Sequence, residues 1–340
     1  MKVFRYLPLA VALLFISGLF YWALFMPKPE IGQRIYDTIK QQEKEADLLF
    51  KQVIFEEVSD GRKYWQLAAE TAMVNNNQGV ASLQKVDGTF FKNGKAVLKF
   101  RSPAAVWDMK RKEIYLDNPI GYDVSLQGKI ADLVKSLRKD PLSVFNLPRT
   151  YQKGAGYWFQ ARNLSWKLAD QQLVCTGGIV LNKGEVTGHA ERLEGDVGLE
   201  KIILKGKPYI VVQSPNTFPI TVEAEAFEVR SAQDAFLAHG NPRIRWEAAR
   251  VEAEQAGYFK SQKKLDLSGN VKLNYNDIYA SGDSAAYFTQ TQLVWLQGKA
   301  RAEQGDNRLT GDKIAVSLKE KKISLMGKSK VVVTKEEMKR

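Results

Sequence analysis

The sequence predicts an all-β body of stacked two-strand repeats, carried behind one N-terminal transmembrane helix. Three observations predict it. An uncharged apolar run, Tyr6 to Met26, lies near the start. Glycines recur at a nearly fixed spacing through the second half. Around each glycine, apolar and polar residues alternate with a period of two.

The Tyr6–Met26 run is 21 residues long, and about 20 apolar residues span a bilayer core. Lys2 and Arg5 precede it and Pro27-Lys28-Pro29 ends it. A cleaved signal peptide has a shorter apolar stretch and a small-x-small cleavage site. Here the run closes on Trp22-Ala23-Leu24-Phe25-Met26, so residues 1–26 read as an uncleaved signal anchor. The short basic head and the large β-rich body favour export of the body, with Tyr21 and Trp22 in the interfacial belt. Residues 27–49 follow. Ile31, Ile35, Ile39, Ala46 and Leu49 fall near a helical period, giving a short helical stalk or a solvated linker.

From Phe50 the pattern is β. Phe50–Val58, the turn Ser59-Asp60-Gly61 and Lys63–Ala68 read as a hairpin. Asn75-Asn76-Asn77-Gln78-Gly79 and Lys92-Asn93-Gly94-Lys95 are turn chemistry. Gly128 to Gly156 breaks the pattern: Ile130, Leu133, Val134 and Leu137 suggest one helix before Pro141 and Pro148. Residues 127–156 are therefore taken as an insertion between a β portion at 50–126 and a repeat portion at 157–334.

The repeat is the strongest signal. Its glycines are Gly177, Gly206, Gly240, Gly269, Gly298 and Gly327, at intervals of 29, 34, 29, 29 and 29. At −4, −2, +2 and +4 from each glycine, Ser329 is the only polar residue among 24 positions. The interleaved positions −3, −1, +1 and +3 carry nine charges. This alternation describes strands with one buried and one wet face, and places the glycine on the inward face, where a missing side chain permits a bend or a close approach. At −16 the residue is always small, and at −15 it is acidic in five of six copies: Glu191, Glu225, Glu254, Asp283 and Asp312. A weaker start recurs at Ala69-Glu70-Thr71-Ala72, and a whole copy spans Ala105 to Tyr122 with Asn118 in the glycine place. Parallel β-helix and antiparallel roll both fit this period.

Composition narrows the chemistry. Lys and Arg total 50 against 38 Asp and Glu, a net charge of +12, of which residues 31–340 keep +10. Such a body favours anionic partners. Cys175 is the single cysteine, so no intramolecular disulfide or zinc ribbon can form. It falls on the inward face as a small core side chain. His189, beside a turn, and His239 are the only histidines and read as surface residues. There is no G-x-S-x-G elbow and no P-loop, and Gly282-Asp283-Ser284 falls on a repeat start. The chain is expected not to be an enzyme and to need no cofactor or metal. The acidic series reads as turn hydrogen bonds or surface ion pairs. The basic residues are scattered without an aromatic stacking platform, which argues against nucleic acid. Trp65, Trp107 and Trp166 are core or lipid-contact candidates; Trp295 lies on the outward register as an interface candidate.

The repeats resemble the OstA-like periplasmic proteins of lipopolysaccharide export. Carrying the resemblance are Ala253-Glu254-Gln255-Ala256 with Leu265-Asp266-Leu267-Ser268-Gly269-Asn270-Val271, Gly282-Asp283-Ser284-Ala285 with Leu296-Gln297-Gly298, and Leu309-Thr310-Gly311-Asp312. Residues 160–333 are similar to the LptA-type bridge module. Residues 1–126, with Tyr64-Trp65-Gln66-Leu67-Ala68-Ala69 and Asn93-Gly94-Lys95, are similar to the LptC-type anchored module. The resemblance implies an antiparallel β-jellyroll with an apolar interior that carries acyl chains of lipopolysaccharide. It implies transfer from an inner-membrane ABC exporter, whose permease the helix would dock against, toward a periplasmic or outer-membrane bridge protein joined by β-edge pairing. The implied lipid-binding residues are the inward apolar set Leu116, Ile179, Leu204, Phe236, Leu265, Leu267, Val271, Leu273, Val294, Leu296, Ile323 and Leu325. The body would then lie in the periplasm, on a single-pass inner-membrane anchor. The competing reading is a membrane-tethered structural β-solenoid with a dry core, binding a protein or anionic envelope polymer by its edges.

Overall fold

Alternation fixes which face of each strand is wet, and strands wet on one face must bury the other against a second layer. The computed structural model shows how the chain does this. It describes residues 46–129, 156–213 and 219–332, together with Asp37 and Lys40, which are helical. Among them no helix is long and apolar enough to cross a membrane. The Tyr6–Met26 anchor and the Ile130–Leu137 helix expected from sequence lie outside the described residues.

The first four strands are long: β1 (Leu48–Ser59), β2 (Arg62–Asn75), β3 (Val80–Lys92) and β4 (Lys95–Asp108). Then come split strands: β5 (Glu113–Asp117) with β6 (Ile120–Asp123), and β7 (Tyr157–Gln160) with β8 (Asn163–Lys167). β9 (Gln172–Lys183) and β10 (Val186–Asp196) run through. Four more split pairs follow: β11 (Lys201–Lys205) with β12 (Tyr209–Val212), β13 (Ile220–Glu223) with β14 (Ala226–Arg230), β15 (Ala235–His239) with β16 (Arg243–Trp246), and β17 (Ala249–Glu252) with β18 (Gln255–Phe259). The last five are long: β19 (Lys264–Tyr275), β20 (Ile278–Phe288), β21 (Leu293–Gln304), β22 (Asn307–Ser317) and β23 (Lys322–Val332).

Every pairing is antiparallel, which decides for the roll over the parallel helix. The ladder is unbroken from β1 to β23: β5 pairs with β8 and β6 with β7 across the 127–156 insertion, and β9 then pairs with both. The two portions expected from sequence thus share one continuous sheet.

The sheet is folded lengthwise. Half A contains β5, β8, β11, β14, β15 and β18; half B contains β6, β7, β12, β13, β16 and β17. Long strands cross from one half to the other at a fixed point. In β19 the register shifts between Ser268 and Val271, and in β21 between Gln297 and Ala300. The residues skipped, Gly269 with Asn270 and Gly298 with Lys299, all have positive φ. These are β-bulges, which bend a strand and sharpen its twist. Asn118, in the glycine place of the early copy, also has positive φ, at 45°, a conformation Asn tolerates better than most residues.

The glycine does not face the core as expected. A methyl group on Gly269 would overlap the Glu254 carboxylate, and one on Gly298 the Asp283 carboxylate; Gly206 and Gly240 face Glu191 and Glu225 in the same way. The acid at −15 is therefore the partner of the glycine. It lies over the bare backbone of the corner, on the outside. At Gly269 the corner is tied further: the Glu254 amide donates to the carbonyls of Ser268 and Gly269, and Asn270 Nδ2 donates to Glu254 Oε1 at 2.6 Å. The first copy replaces the acid with Arg162, whose stem covers Gly177.

The N-terminal boundary also differs. The helical spacing extends to Leu49, but β1 begins at Leu48, and the Asp47 amide donates to Val74 O. Pairing with β2 wins there over local periodicity. The turns at Asn75–Gly79 and Asn93-Gly94 form as expected, the latter with both residues at positive φ, as a type I′ hairpin requires.

Candidate functional site

The candidate site is the space between the two halves. Along the corner the halves are joined by the strands themselves. Opposite it, the hairpins alternate between the two free margins, and among the described residues no strand pairing joins them across the mouth between them. One apolar cluster lines the interior from Trp65 to Leu318.

The structure places the sequence-predicted set on this interior. Leu116, Ile179, Leu204, Leu267, Val271, Leu273, Val294 and Leu296 are all buried. Phe236, Leu265, Ile323 and Leu325 are partly buried and pack against the cluster. These four come from half A; Leu325 is in register with Leu296 and Ile314 and is less buried because it lies on the last strand, β23. Each fully buried Leu or Val contributes roughly 1.5–3 kcal/mol by leaving water, so the deep positions account for themselves as core. Leu116 is the outlier. It pairs in register with Ala105 and Leu164 in the ring-filled part of the roll, away from the other positions. Lys272 and Lys299, at interleaved positions of the repeat, are exposed.

The filling of the interior changes along the roll. Near β2–β8 it is packed with rings: Trp65, Phe90, Phe100, Phe159 and Trp166 are each at most 1% exposed. Phe100 lies against Gly88 and Phe159 against Gly121, where any side chain would overlap the ring. Trp65 and Trp166 are thus core. From β15 onward no ring is fully buried among the described residues: the deep positions are aliphatic, with Ile244, Leu267, Leu273, Leu296 and Ile314 alongside Ala238, Ala256, Ala285 and Ala300.

The mouth is held by contacts between its margins, which the sequence reading missed. Trp65 of half B meets Trp107 of half A with ring centroids 5.0 Å apart, and Phe90 meets Trp166 at 5.3 Å. Lys112 reaches Glu57 across the mouth at 3.3 Å. Lys92, at the β3–β4 hairpin, binds Asp196 and Glu200 at the opposite margin, both at 2.9 Å. The Asp196 hydrogen bond holds the Lys92 ammonium above its usual pKa against the opposing effect of burial. Burial works against the charged Asp196 carboxylate, but the Lys92 contact and the amides of Lys201 and Glu200 outweigh it and hold its pKa low. Farther along, Lys183 of half B stands 3.9 Å from Asp234 of half A, and Trp246 stacks on Tyr287 at 5.6 Å. These contacts join residues far apart in sequence, so no local pattern marks them.

Beside Lys183 lies a small apolar cavity of about 20 Å³, partly open to solvent. Its walls include Leu181, Val186 and Ile210 from half B and Ile202, Val229 and Phe236 from half A. Leu181, Ile202 and Ile210 occupy inward repeat positions, so the alternation could have found them.

The other singled-out residues resolve simply. Cys175 is fully buried, and burial pushes its thiol pKa up. His189 is not beside a turn; it lies within β10, half-buried and stacked on Tyr209 at 4.4 Å, and burial lowers its pKa. Trp295 faces outward, but Lys313 lies over its ring at 4.3 Å, so its face is already covered.

Comparison with known proteins bears on the second half of the roll. Residues 221–322 match the family LptD_N, described as LptA/(LptD N-terminal domain) LPS transport protein. The matched stretch runs from β13 to the start of β23. Among solved structures, one similar chain is LptH of Pseudomonas aeruginosa, described as the LptA homologous periplasmic component of the conserved lipopolysaccharide transport device. It shares 17% identity at a TM-score of 0.32, with 34% of this chain and 96% of that chain covered. No curated protein matches the chain.

Proposed function

We propose that this protein is a membrane-anchored periplasmic carrier of lipopolysaccharide. The observation that carries the reading is the continuous apolar interior, open along one side, in a stretch that matches an LPS-transport family. Residues 1–26 would anchor the chain in the inner membrane and dock against an ABC exporter permease. Lipid would enter through the mouth and move along the roll with its acyl chains between the halves. The +10 body supplies cations to anionic head groups.

The two ends of the ladder suit transfer by edge pairing. β1 pairs only with β2, and β23 only with β22, among the described residues. Long bare edges are normally protected and otherwise serve for β-augmentation. On β1, Leu49, Ile54 and Val58 are 64%, 59% and 56% exposed, and on β23 Val331 is 50% exposed. We assign the β23 edge to a bridge protein, because it terminates the stretch that matches the LPS-transport family.

The test is photo-crosslinking in cells, with the probe at Leu265 or Leu325 and at Lys272 or Lys299 as outward controls. Capture of lipopolysaccharide by the inward probes alone supports the carrier. A folded, anchored protein that captures none at either position overturns it and favours the dry-core scaffold.

A further inference from the structure

The outer side of the corner changes along the roll, and the change points to a site. At +2 from the glycine, β19 and β21 carry Val271 and Ala300 and run through the bend. The copies at Gly206 and Gly240 carry Pro208 and Pro242 there, and their strands split. Proline has no N–H to give to a ladder, so pairing stops on either side of it. Between these two copies the corner holds an open groove of about 680 Å³. Lys207 and Tyr209, Glu223 and Glu225, and Asn241 and Arg243 line it, one pair from each of three successive corners.

Its polar groups are not used up by one another. At the Gly269 corner Asn270 Nδ2 donates to Glu254. The equivalent pair in the groove, Asn241 and Glu225, makes no such bond, and the Glu225 carboxylate lies over Gly240 without a side-chain partner among the described residues. Arg243 stands across the ladder from Glu223, but Glu223 is taken by Arg245. Among the described residues neither Arg243 nor Lys207 is in an ion pair. His189 stacks on Tyr209 at 4.4 Å and steadies its ring, and the tyrosine is 36% exposed.

We propose that this groove is a binding site for an acidic saccharide, on the outside of the roll. Arg243 and Lys207 take the sugar carboxylate, which the guanidinium can hold through two parallel hydrogen bonds. Glu225 accepts from hydroxyls, and the Asn241 amide both donates to them and accepts from them. The Tyr209 ring supports the C–H face of the pyranose, an apolar body beside a polar tip. Glu225 repels a bare inorganic anion, so the groove selects a hydroxyl-rich acid over a simple one. The corner is opposite the mouth, so this occupant is a second partner of the roll, and the site stands whether or not the interior carries lipid.

The test is titration calorimetry on the full chain in phosphatidylcholine nanodiscs. Tetragalacturonate is the probe. Its methyl ester keeps the hydroxyls without the charge, and inorganic sulfate keeps the charge without the hydroxyls. Tetragalacturonate is expected to bind about tenfold or more tighter than either, the difference made by one charge-assisted contact. Arg243→Gln, at an exposed side chain without an ion partner, is expected to weaken it about tenfold. Tyr209→Leu is expected to weaken it about threefold. Glu225→Gln is expected to narrow the preference for the saccharide over sulfate. Lys272→Gln, an exposed cation outside the groove, leaves binding unchanged. Absence of binding, equal affinity for sulfate or the methyl ester, or equal losses from Arg243→Gln and Lys272→Gln overturn the site, the last by showing a diffuse cationic surface. Capture of lipopolysaccharide at Leu265 reads the interior and is expected to be the same in Arg243→Gln, so the carrier and this site fail separately.

Discussion

Residues 65–166 and residues 226–332 belong to one ladder and follow one alternation, yet they fill the space between the halves differently. The first region sets Trp65, Phe90, Phe100, Phe159 and Trp166 inward, all essentially without solvent contact. The second buries aliphatic side chains such as Leu267, Leu296 and Ile314 with alanines between them, and leaves its rings Phe236 and Tyr287, with Leu265 and Ile323, only partly buried. Interiors packed to crystal-like density leave no room for a guest. The same fold therefore makes a ring-packed footing at one end and, on the carrier reading proposed above, a trough for lipid at the other. The teaching is that β-alternation specifies a buried face but not what occupies it. Ring volume is what distinguishes the two ends.

The largest effect should come from emptying the footing. Trp166→Ala removes a fully buried ring that packs on Phe90. Such truncations cost about 3–5 kcal/mol. Thermal unfolding should show that loss, while Leu265→Ala, at a partly exposed position, should cost about 1 kcal/mol or less. Lipid capture should respond in the opposite order, falling with Leu265→Ala and holding with Trp166→Ala at a temperature where the protein is folded. A fall in capture from Trp166→Ala under those conditions would merge the two regions and break the comparison.

Much of this architecture was legible in residue order. The inward set around Gly269 and Gly298 was readable because side chains alternate across a strand whatever its partner. The early copy at Asn118 was readable because Asn is a common substitute for Gly at positive φ. The role of the −15 acids was not. Glu254 meets Gly269 only once the register of β18 on β19 is known, and period-two patterning fixes the face of a residue without naming its partner across the ladder. The inward placement of the glycine failed for a related reason: the bulge at Gly269-Asn270 inserts a residue and turns the glycine away from the face its number implies. The mouth clasps were least legible, since Lys92 and Asp196 are 104 positions apart. The contrast in filling was in principle visible, because Phe90 and Phe100 stand on strands whose inward faces could be compared with Ala285 and Ala300.

A middling effect tests the corner that both regions share. Gly269 has φ +77°, and its open side is occupied by Glu254. Gly269→Ala should cost about 1–2 kcal/mol, from the left-handed backbone and the overlap together. Glu254→Ala alone should cost less. The double variant should recover part of the loss, because removing the carboxylate relieves the overlap but not the backbone strain. Chemical denaturation of the four proteins gives that coupling. Strict additivity would show that the acid does not lie on the glycine.

The smallest effect concerns the clasp at the border between footing and trough. Lys92→Met should cost about 1 kcal/mol, since both side chains are about one-third exposed and solvent screens the pair. Its pH dependence follows from the two shifts. Asp196 has a folded pKa below the ordinary 3.8, so its stabilising contribution is present above that value and is lost as pH falls through the lower folded one. Lys92 has a folded pKa above the ordinary 10.5, so its contribution is present below that value and is lost as pH rises through the higher folded one. The stability difference between wild type and Lys92→Met should therefore be flat between roughly pH 5 and 9 and shrink at both extremes. Amides of Glu200 and Lys201 still hold Asp196 in the variant, so the acid limb should shrink without vanishing. At molar salt the plateau should fall, as expected of a partly exposed pair. A difference that persists unchanged below pH 3 would assign the contribution of Lys92 to packing of its stem against Gly198, and the border would then be closed by shape instead of charge.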